Sequence, residues 1–363
     1  MVVTDLVNVL GLDIGGANTK AAFLKTQNTT TKELRTTLEY FPIWKNGKNQ
    51  LPKVLEKLKK KLANKTALDG VGVTITAELS DAYMTKKEGI HHVLDCVCQV
   101  FGEVPLFVLD VEANLLSVEE AHREPLRVAS ANWAATGWIT KQMNKNCIVV
   151  DVGSTTTSII PIVNGKIAAE GRTDLEKLQN RELVYSGSLR TNIATIVNCI
   201  PVRGTITRVS SELFSQSGDV HLLLGNIAEE EYTAETCDGR GKTRREAASR
   251  LARVVCADTD MLTEQEILDI AKFVYDKQVE QIACGLKQVN ERIKPQLRKK
   301  TAVVTGLGRN FLARKAAEKA GFENIIDMRE LLGADAAVVS PSVGVAFMVA
   351  DHLEGKTVKW KQS

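Results

Sequence analysis

Residues 7–20, VNVLGLDIGGANTK, decide the fold, and residues 147–158, CIVVDVGSTTTS, repeat the pattern. In each, an apolar run of strand type ends in Asp-x-Gly and turns into a second β-rich stretch. Aligning Asp13 with Asp151 brings Gly15 onto Gly153 and Thr19 onto Thr157. The offset is too long for a solenoid repeat. It fits two similar lobes, each opening on the same strand–turn–strand device.

Outward from these turns, residues 19–25 read as the return strand of the first hairpin. Leu51, Val54, Leu55, Leu58 and Leu62 recur at helical spacing, with Lys53, Lys57, Lys59, Lys60 and Lys61 largely between them. That predicts an amphipathic helix with a solvated basic face rather than a nucleic-acid patch. Residues 71–76 and 106–109 are strand-like, and Ser117 with Glu120 has capping-box spacing. Residues 156–163 form another β-rich run, followed by the hairpin-turn pair Asn164-Gly165. Residues 172–245 are less periodic and predict short elements and a subdomain. Thr263 and Glu266 open a long helix through Ile267, Ile270, Ala271, Val274, Ile282, Leu286, Val289 and Ile293, stopped near Pro295. Residues 301–308 read as a strand and glycine turn, 311–320 as a helix closed by Gly321, and 340–350 as a helix beginning at Pro341.

A chain of 363 residues exceeds one typical core and suits two domains. The expected division is a first lobe over 1–143, completed by a C-terminal helix over 341–363, and a second over 144–340. The second carries an inserted subdomain around 172–260 and an adenosine-type motif at 302–321. Lys plus Arg is 47 against 44 Asp plus Glu, a net charge of +3, which argues against nucleic-acid or membrane partners. No apolar run approaches the ~18–20 residues of a membrane span. The first residues lack a basic leader region, so a cytoplasmic location is expected. The 7 Cys include no C-x-x-C and the 5 His no H-x-x-x-H, which predicts scattered thiols rather than a zinc site.

The chemistry lies in the turns. Gly15, Gly16, Asn18 and Thr19 on one, and Gly153, Ser154, Thr155 and Thr156 on the other, offer backbone N–H groups and hydroxyls at a close-approach backbone, which is what a phosphate needs. Asp13 and Asp151 stand at the strand ends, where two carboxylates near a phosphate call for a hard cation. Mg²⁺ held by Asp13 and Asp151 is the expectation. Lys20 adds a point charge if it turns inward. A single Asp-x-Gly is ordinary turn chemistry; two at matched positions, with a further turn at Gly306-Leu307-Gly308, favour phosphate binding. Gly241-Lys242-Thr243 fails as a nucleotide loop, because its first glycine would fall at Thr236. The basic stretch Asp238–Arg245, with Arg240, Lys242, Arg244 and Arg245 in a loop ahead of a helix, suits a carboxylate or diphosphate. His91 and His92 read as structural, and Trp133 and Trp138, flanking Gly137, as core.

The segments GLDIGGANTK (11–20), LDVEANLL (109–116), VVDVGSTTTSIIPI (149–162), AVVTGLGRNFLARKA (302–316) and SPSVGVAFMVA (340–350), in this order, resemble the five-part signature of the actin/sugar-kinase/Hsp70 superfamily. The resemblance implies a two-lobed α/β, actin-like ATPase (ribonuclease H-like) fold with a central cleft. More closely, TITAELSDAY (74–83), RTDLEKLQNRELVYSGSLRT (172–191), SGDVHLLLGNI (217–227) and DGRGKTRREAASRLARVVCAD (238–258) resemble hydantoinase/oxoprolinase-like proteins linked to tetrahydromethanopterin-dependent one-carbon pathways. That implies a transferase of methanofuran biosynthesis. An aminomethyl-furanmethanol diphosphate would be joined to the phenol of γ-glutamyltyramine, with release of pyrophosphate. Superfamily members often carry Asp after the second turn; this chain has Ser158. The alternatives at this stage are an ATP-dependent small-molecule kinase or hydantoinase/oxoprolinase-type hydrolase, which would bind ATP, and a non-catalytic nucleotide-binding module.

Overall fold

In the computed structural model, residues 6–294 and 300–359 are described. The helix stop expected at Pro295, and residues 360–363 of the expected C-terminal segment, lie outside them. The first sheet holds β1 (Leu6–Gly15), β2 (Asn18–Gln27), β3 (Thr30–Tyr40), β4 (Gly70–Thr76), β5 (Leu106–Leu109) and β6 (Leu115–Leu116), in the order β3-β2-β1-β4-β5-β6. β1 runs antiparallel to β2 and parallel to β4. A strand in that position has both faces covered, which is why its sequence is a continuous apolar run. Leu10, Leu12 and Ile14 join the core made with the helices Leu51–Leu62 and Lys86–Phe101. Its other face takes the helix Ser340–Glu354, buried from Ser340 to Ala350. Gly11 makes that contact possible: a Cβ there would lie 2.1 Å from the Ser342 carbonyl oxygen.

The second sheet holds β7 (Cys147–Val152), β8 (Thr157–Val163), β9 (Lys166–Ile167), β10 (Leu183–Val184), β13 (Thr301–Gly306) and β14 (Asn324–Asp327). Its order is β10-β8-β7-β13-β14, with β9 on β8. A separate ribbon pairs β11 (Cys199–Val202) with β12 (Thr205–Arg208). In each large sheet the Asp-bearing strand lies between its own hairpin partner and a parallel strand: β2-β1-β4 and β8-β7-β13. The sequence echo is therefore an echo of topology.

Four elements depart from the sequence reading. β3, unread, is an edge strand whose threonines and charges leave no clean apolar face. The helix Asn132–Met143 is buried on nearly every side, so it carries no amphipathic period to read. Arg244 and Arg245, expected in a loop, form the first turn of the helix Arg244–Arg253, because Thr243 and Glu246 close a capping box in front of them. The helix expected over 311–320 starts as a π-helical turn, Arg309–Ala313, and continues as Arg314–Lys319. All 7 cysteines are unbridged. No helix of the described residues is long and apolar enough to cross a membrane.

The chain forms two compact units. One takes the chain up to Asn146, Ile162–Glu176 and the chain from Asp327 onward; the other takes Cys147–Pro161 and Lys177–Ile326. The helix Glu264–Ile293 is the longest element of the second, at 30 residues. Its N-terminus is capped as the sequence predicts, with the Thr263 hydroxyl accepting from the Glu266 N–H at 3.3 Å. Replacing Thr263 with Ala should lower stability by about 1 kcal/mol, read as a lower urea midpoint at unchanged slope; an unmoved midpoint would show the cap idle.

Candidate active site

In the first unit the hairpin register sets Asp13 opposite Lys20 on β2 and beside Thr74 on β4. Lys20 does turn inward: its Nζ donates to Asp13 Oδ2 at 3.1 Å. Asp13 is 2% exposed, and its other oxygen, Oδ1, accepts no hydrogen bond among the described residues. The hydroxyls of Thr19 and Thr74 and the amide oxygen of Asn18 are likewise buried without a partner there. Buried polar atoms are seldom left so. A hard cation with its waters, or a phosphate, is what such a set of oxygens and hydroxyls would satisfy. Gly15 and Gly16 keep the turn bare: a Cβ on Gly15 would lie 3.3 Å from Thr76 Oγ1, and one on Gly16 3.5 Å from Ser80 Cβ.

In the second unit Gly153 N–H donates to the Thr156 carbonyl at 2.9 Å and closes the turn. A segment that turn chemistry alone did not reveal braces it from outside. Ser188 N–H donates to the Gly153 carbonyl at 2.9 Å, and the N–H groups of Leu189 and Arg190 both donate to the Ser154 carbonyl at 3.0 Å. Arg190 also donates to Thr155 Oγ1 at 3.3 Å, so a guanidinium stands at the turn. The clue was Gly187, whose backbone runs so close to Thr155 that a Cβ would sit 2.5 Å from it. Asp151 pairs in register with Thr305 on β13. Next to it, Gly306 adopts φ +85°, and a Cβ there would fall 2.6 Å from Asp151 Oδ1. Glycine is thus required twice, for the left-handed backbone and for room beside the carboxylate. Gly308 N–H donates to the Val152 carbonyl at 3.0 Å, tying this turn to the strand that carries Asp151.

The basic stretch also lies in the second unit, and much of its charge is held internally. Fully buried Arg250 pairs with Asp219 at 2.7 Å and with Asp238 at 3.2 Å, and donates to the Gly241 carbonyl at 3.0 Å. Arg244 donates to the Leu222 carbonyl at 2.9 Å. Lys242 lies over the Tyr232 ring at 5.5 Å, and partial burial lowers its pKa. Arg240 is 63% exposed in its side chain, 4.0 Å from Asp238, and Arg245 is exposed at the helix start. His91 and His92 serve structure: His91 meets His122 at 2.7 Å and His92 meets the Tyr83 hydroxyl at 2.8 Å. Trp133 is core.

One group in the first unit had no sequence signal beyond its place in TITAELSDAY. Glu78, 1% exposed, lies in the loop after β4, the strand beside the Asp13 turn. Burial pushes its carboxyl up to about 7, against the lowering effect of its hydrogen bond with Ser130 and of the Lys86 charge.

Residues 69–352 match the model of the hydantoinase/oxoprolinase family. The chain is 38% identical over 349 residues, 96% of this chain and 99% of the relative, to the (4-{4-[2-(gamma-L-glutamylamino)ethyl]phenoxymethyl}furan-2-yl)methanamine synthase of Methanocaldococcus jannaschii. It is 39% identical over 221 residues, 60% of this chain and 97% of the relative, to the synthase of the same name of Methanococcus vannielii. Among solved structures it resembles nucleotide-free acetone carboxylase with a TM-score of 0.51 at 11% identity, covering 95% of this chain and 70% of that one. That likeness concerns fold alone, and the fold is mixed α/β of the actin-like ATPase type. By its sequence, over most of its length, the chain belongs to the hydantoinase/oxoprolinase family.

Proposed function

We propose that this protein is a cytoplasmic transferase that joins an aminomethyl-furanmethanol diphosphate to the phenol of γ-glutamyltyramine, forming the furan–phenoxymethyl ether and releasing pyrophosphate. The observation that carries this reading is the end-to-end similarity to a synthase whose name describes that ether. The geometry supports it: each unit offers a phosphate-type turn with a carboxylate at its root. Mg²⁺ is the proposed cofactor, with Asp13 as the carboxylate that would hold it in the first unit and Asp151 in the second. The metal would neutralise charge on the diphosphate.

The protein's own groups have a defined task. As the carbon–oxygen bond to the diphosphate breaks, negative charge grows on the leaving oxygens. In the first unit the fixed N–H groups of Gly15 and Gly16 with Lys20, and in the second those of Ser154 and Thr155 with Thr156 and Arg190, each suit such charge without reorganising. Positive charge on the exocyclic carbon spreads into the furan ring, so the phenol needs little nucleophilic strength. The exposed guanidinium groups of Arg240 and Arg245 suit the acceptor's carboxylate. The ATP-dependent alternatives are less well supported, since phosphoryl transfer needs a positioned base and Ser158 stands where related chains often carry Asp.

Three experiments test this reading. Protein incubated with the furan diphosphate, γ-glutamyltyramine and Mg²⁺ should yield pyrophosphate and an ether of the expected mass. Nucleotide consumption without ether would overturn the assignment. Asp13→Asn and Asp151→Asn should each reduce turnover by about 10²-fold or more while circular dichroism stays native. The double variant Arg240→Ala, Arg245→Ala should raise KM for γ-glutamyltyramine with kcat little changed; an unchanged KM would remove the basic stretch from the acceptor site.

A further inference from the structure

The reaction proposed above needs a group to take the phenolic proton, and neither turn supplies one. Around Glu78 the first unit holds four polar side chains from four separate stretches. Ser130 Oγ lies 2.6 Å from Glu78 Oε1 and 2.6 Å from Asp174 Oδ2. Lys86 Nζ lies 2.8 Å from Asp174 Oδ2, 3.3 Å from Ser130 Oγ and 3.6 Å from Glu78 Oε1.

These distances count protons. A serine hydroxyl has one hydrogen, and it stands here between two carboxyl oxygens, each at hydrogen-bonding distance. The hydroxyl can give its one hydrogen fully to one of them, and a proton borne by a carboxyl group would complete the other contact. Glu78 is the member that deep burial favours as the neutral acid, whereas Asp174 is 21% exposed in its side chain and holds the Lys86 ammonium. The other Glu78 oxygen, Oε2, is buried with no hydrogen-bond partner among the described residues. Ser130 is held at φ +53°, a left-handed conformation that costs a non-glycine residue energy. The bridge between Ile75 and Ala129 fixes that turn against β4, so the strain is imposed by the sheet.

The cluster adjoins the first phosphate-type turn. Gly15 pairs with Thr76 at the end of β4, and the loop from Ala77 to Tyr83 continues past Gly16. On that stretch Leu79 is 52% exposed and Met84 92%, and Trp44, 38% exposed, lies 4.0 Å from where a Cβ on Gly16 would be. This is apolar surface of the kind an aromatic ring covers. Together these observations place Glu78 and exposed apolar side chains on the loop beside the first turn, with the partly exposed carboxylate of Asp174 linked to Glu78 through Ser130.

We propose that Asp174, Ser130 and Glu78 form a proton relay that takes the phenolic proton of the acceptor as the ether bond forms. The proposal rests on the reading given under the proposed function. In the ready state Glu78 is ionised and accepts the Ser130 hydroxyl proton. The phenol passes its proton to Asp174 Oδ2, Asp174 passes one to Ser130, and Ser130 passes its own to Glu78. The phenolic oxygen's electron pair forms the bond to the furan's exocyclic carbon, the bond from that carbon to the diphosphate breaks, and pyrophosphate leaves with its electron pair. The proton then returns to solvent through exposed Asp174. A proton on Glu78 would let both 2.6 Å contacts be made at once. Lys86 Nζ stays paired with Asp174 Oδ2 at 2.8 Å. The charged groups bearing on Glu78 are Lys86 from the helix Lys86–Phe101 and Asp174, with the Tyr83 phenol on its own loop.

Two measurements on the full chain test the relay. The first does not involve turnover. Between pH 4.5 and about 7 the folded protein keeps a Glu78 proton that the unfolded chain has lost, so this group's contribution to stability is complete at the acid end and is lost as pH rises. Glu78→Gln, neutral throughout, should gain on wild type in urea midpoint across that window and run parallel above it. Parallel midpoints across the whole window would remove the proton store. The second is kinetic. Glu78→Gln should lower kcat about 10²-fold or more, abolish the acid limb of the pH–rate profile near 7, and leave pyrophosphate affinity unchanged. Ring-fluorinated γ-glutamyltyramine, whose phenol is more acidic, should recover much of that loss in Glu78→Gln and little in Asp13→Asn. A wild-type protein that forms the ether, with a Glu78→Gln variant that keeps the acid limb, overturns the relay alone. A wild-type protein that forms no ether overturns the function on which it rests, whatever the midpoints show.

Discussion

A carboxylate at the end of an apolar strand has to find compensation or lose its charge, and much of the first unit is arranged around how Asp13 finds it. The antiparallel register of β1 and β2 sets Lys20 directly opposite, so one Asp13 oxygen is paired while the other is left available. Shifting that register by one residue would turn Lys20 to the other face of the sheet and present a threonine or alanine instead. The pairing cannot slip, because the face of β1 that carries Asp13 is pressed, two residues earlier, against the helix Ser340–Glu354 through Gly11. The electrostatics of the turn are thus enforced by steric packing further along the same face of the strand.

The second unit meets the same need differently. At the position matching Lys20 it has Ser158; Gly306 stands aside from Asp151, and the stretch Ser188–Arg190 brings hydrogen bonds and a guanidinium to the turn. Two turns alike in sequence therefore differ in their fixed charge. The basic stretch further along follows a related logic. Arg250 is buried only because Asp219 and Asp238 neutralise it, and that pair of carboxylates holds the loop in which Arg240 stays outward.

Local pattern made a good part of this legible. The helix over 51–62, the strands at 106–109 and 147–152 and the capping boxes at Ser117 and Thr263 are written in periods and residue types that only neighbours need to satisfy. What escaped is what neighbours cannot encode. β3 is polar on both faces because it is an edge, and the helix Asn132–Met143 is apolar all round because it is enclosed; each carries the composition of its surroundings rather than of its conformation. At the candidate site, the turn residues could be named because glycine and threonine advertise a turn. Glu78 could not, because a carboxylate looks the same in a sequence whether it is solvated or sealed beside Ser130 and Lys86. Its partners stand 52 and 96 residues away along the chain, Ser130 from Glu78 and Asp174 from Glu78.

The threading of the first unit has a temporal meaning. The helix that covers the second face of β1 begins at Ser340, long after that strand has been synthesised, and Asp174 returns to this unit only after β7 and β8 have been made. While the polypeptide is still emerging from a ribosome, the sheet of β1, β2 and β4 has one apolar side bare, and the four side chains around Ser130 are incomplete. The sheet of β1, β2 and β4 must therefore wait for the helix Ser340–Glu354 before its second face is covered.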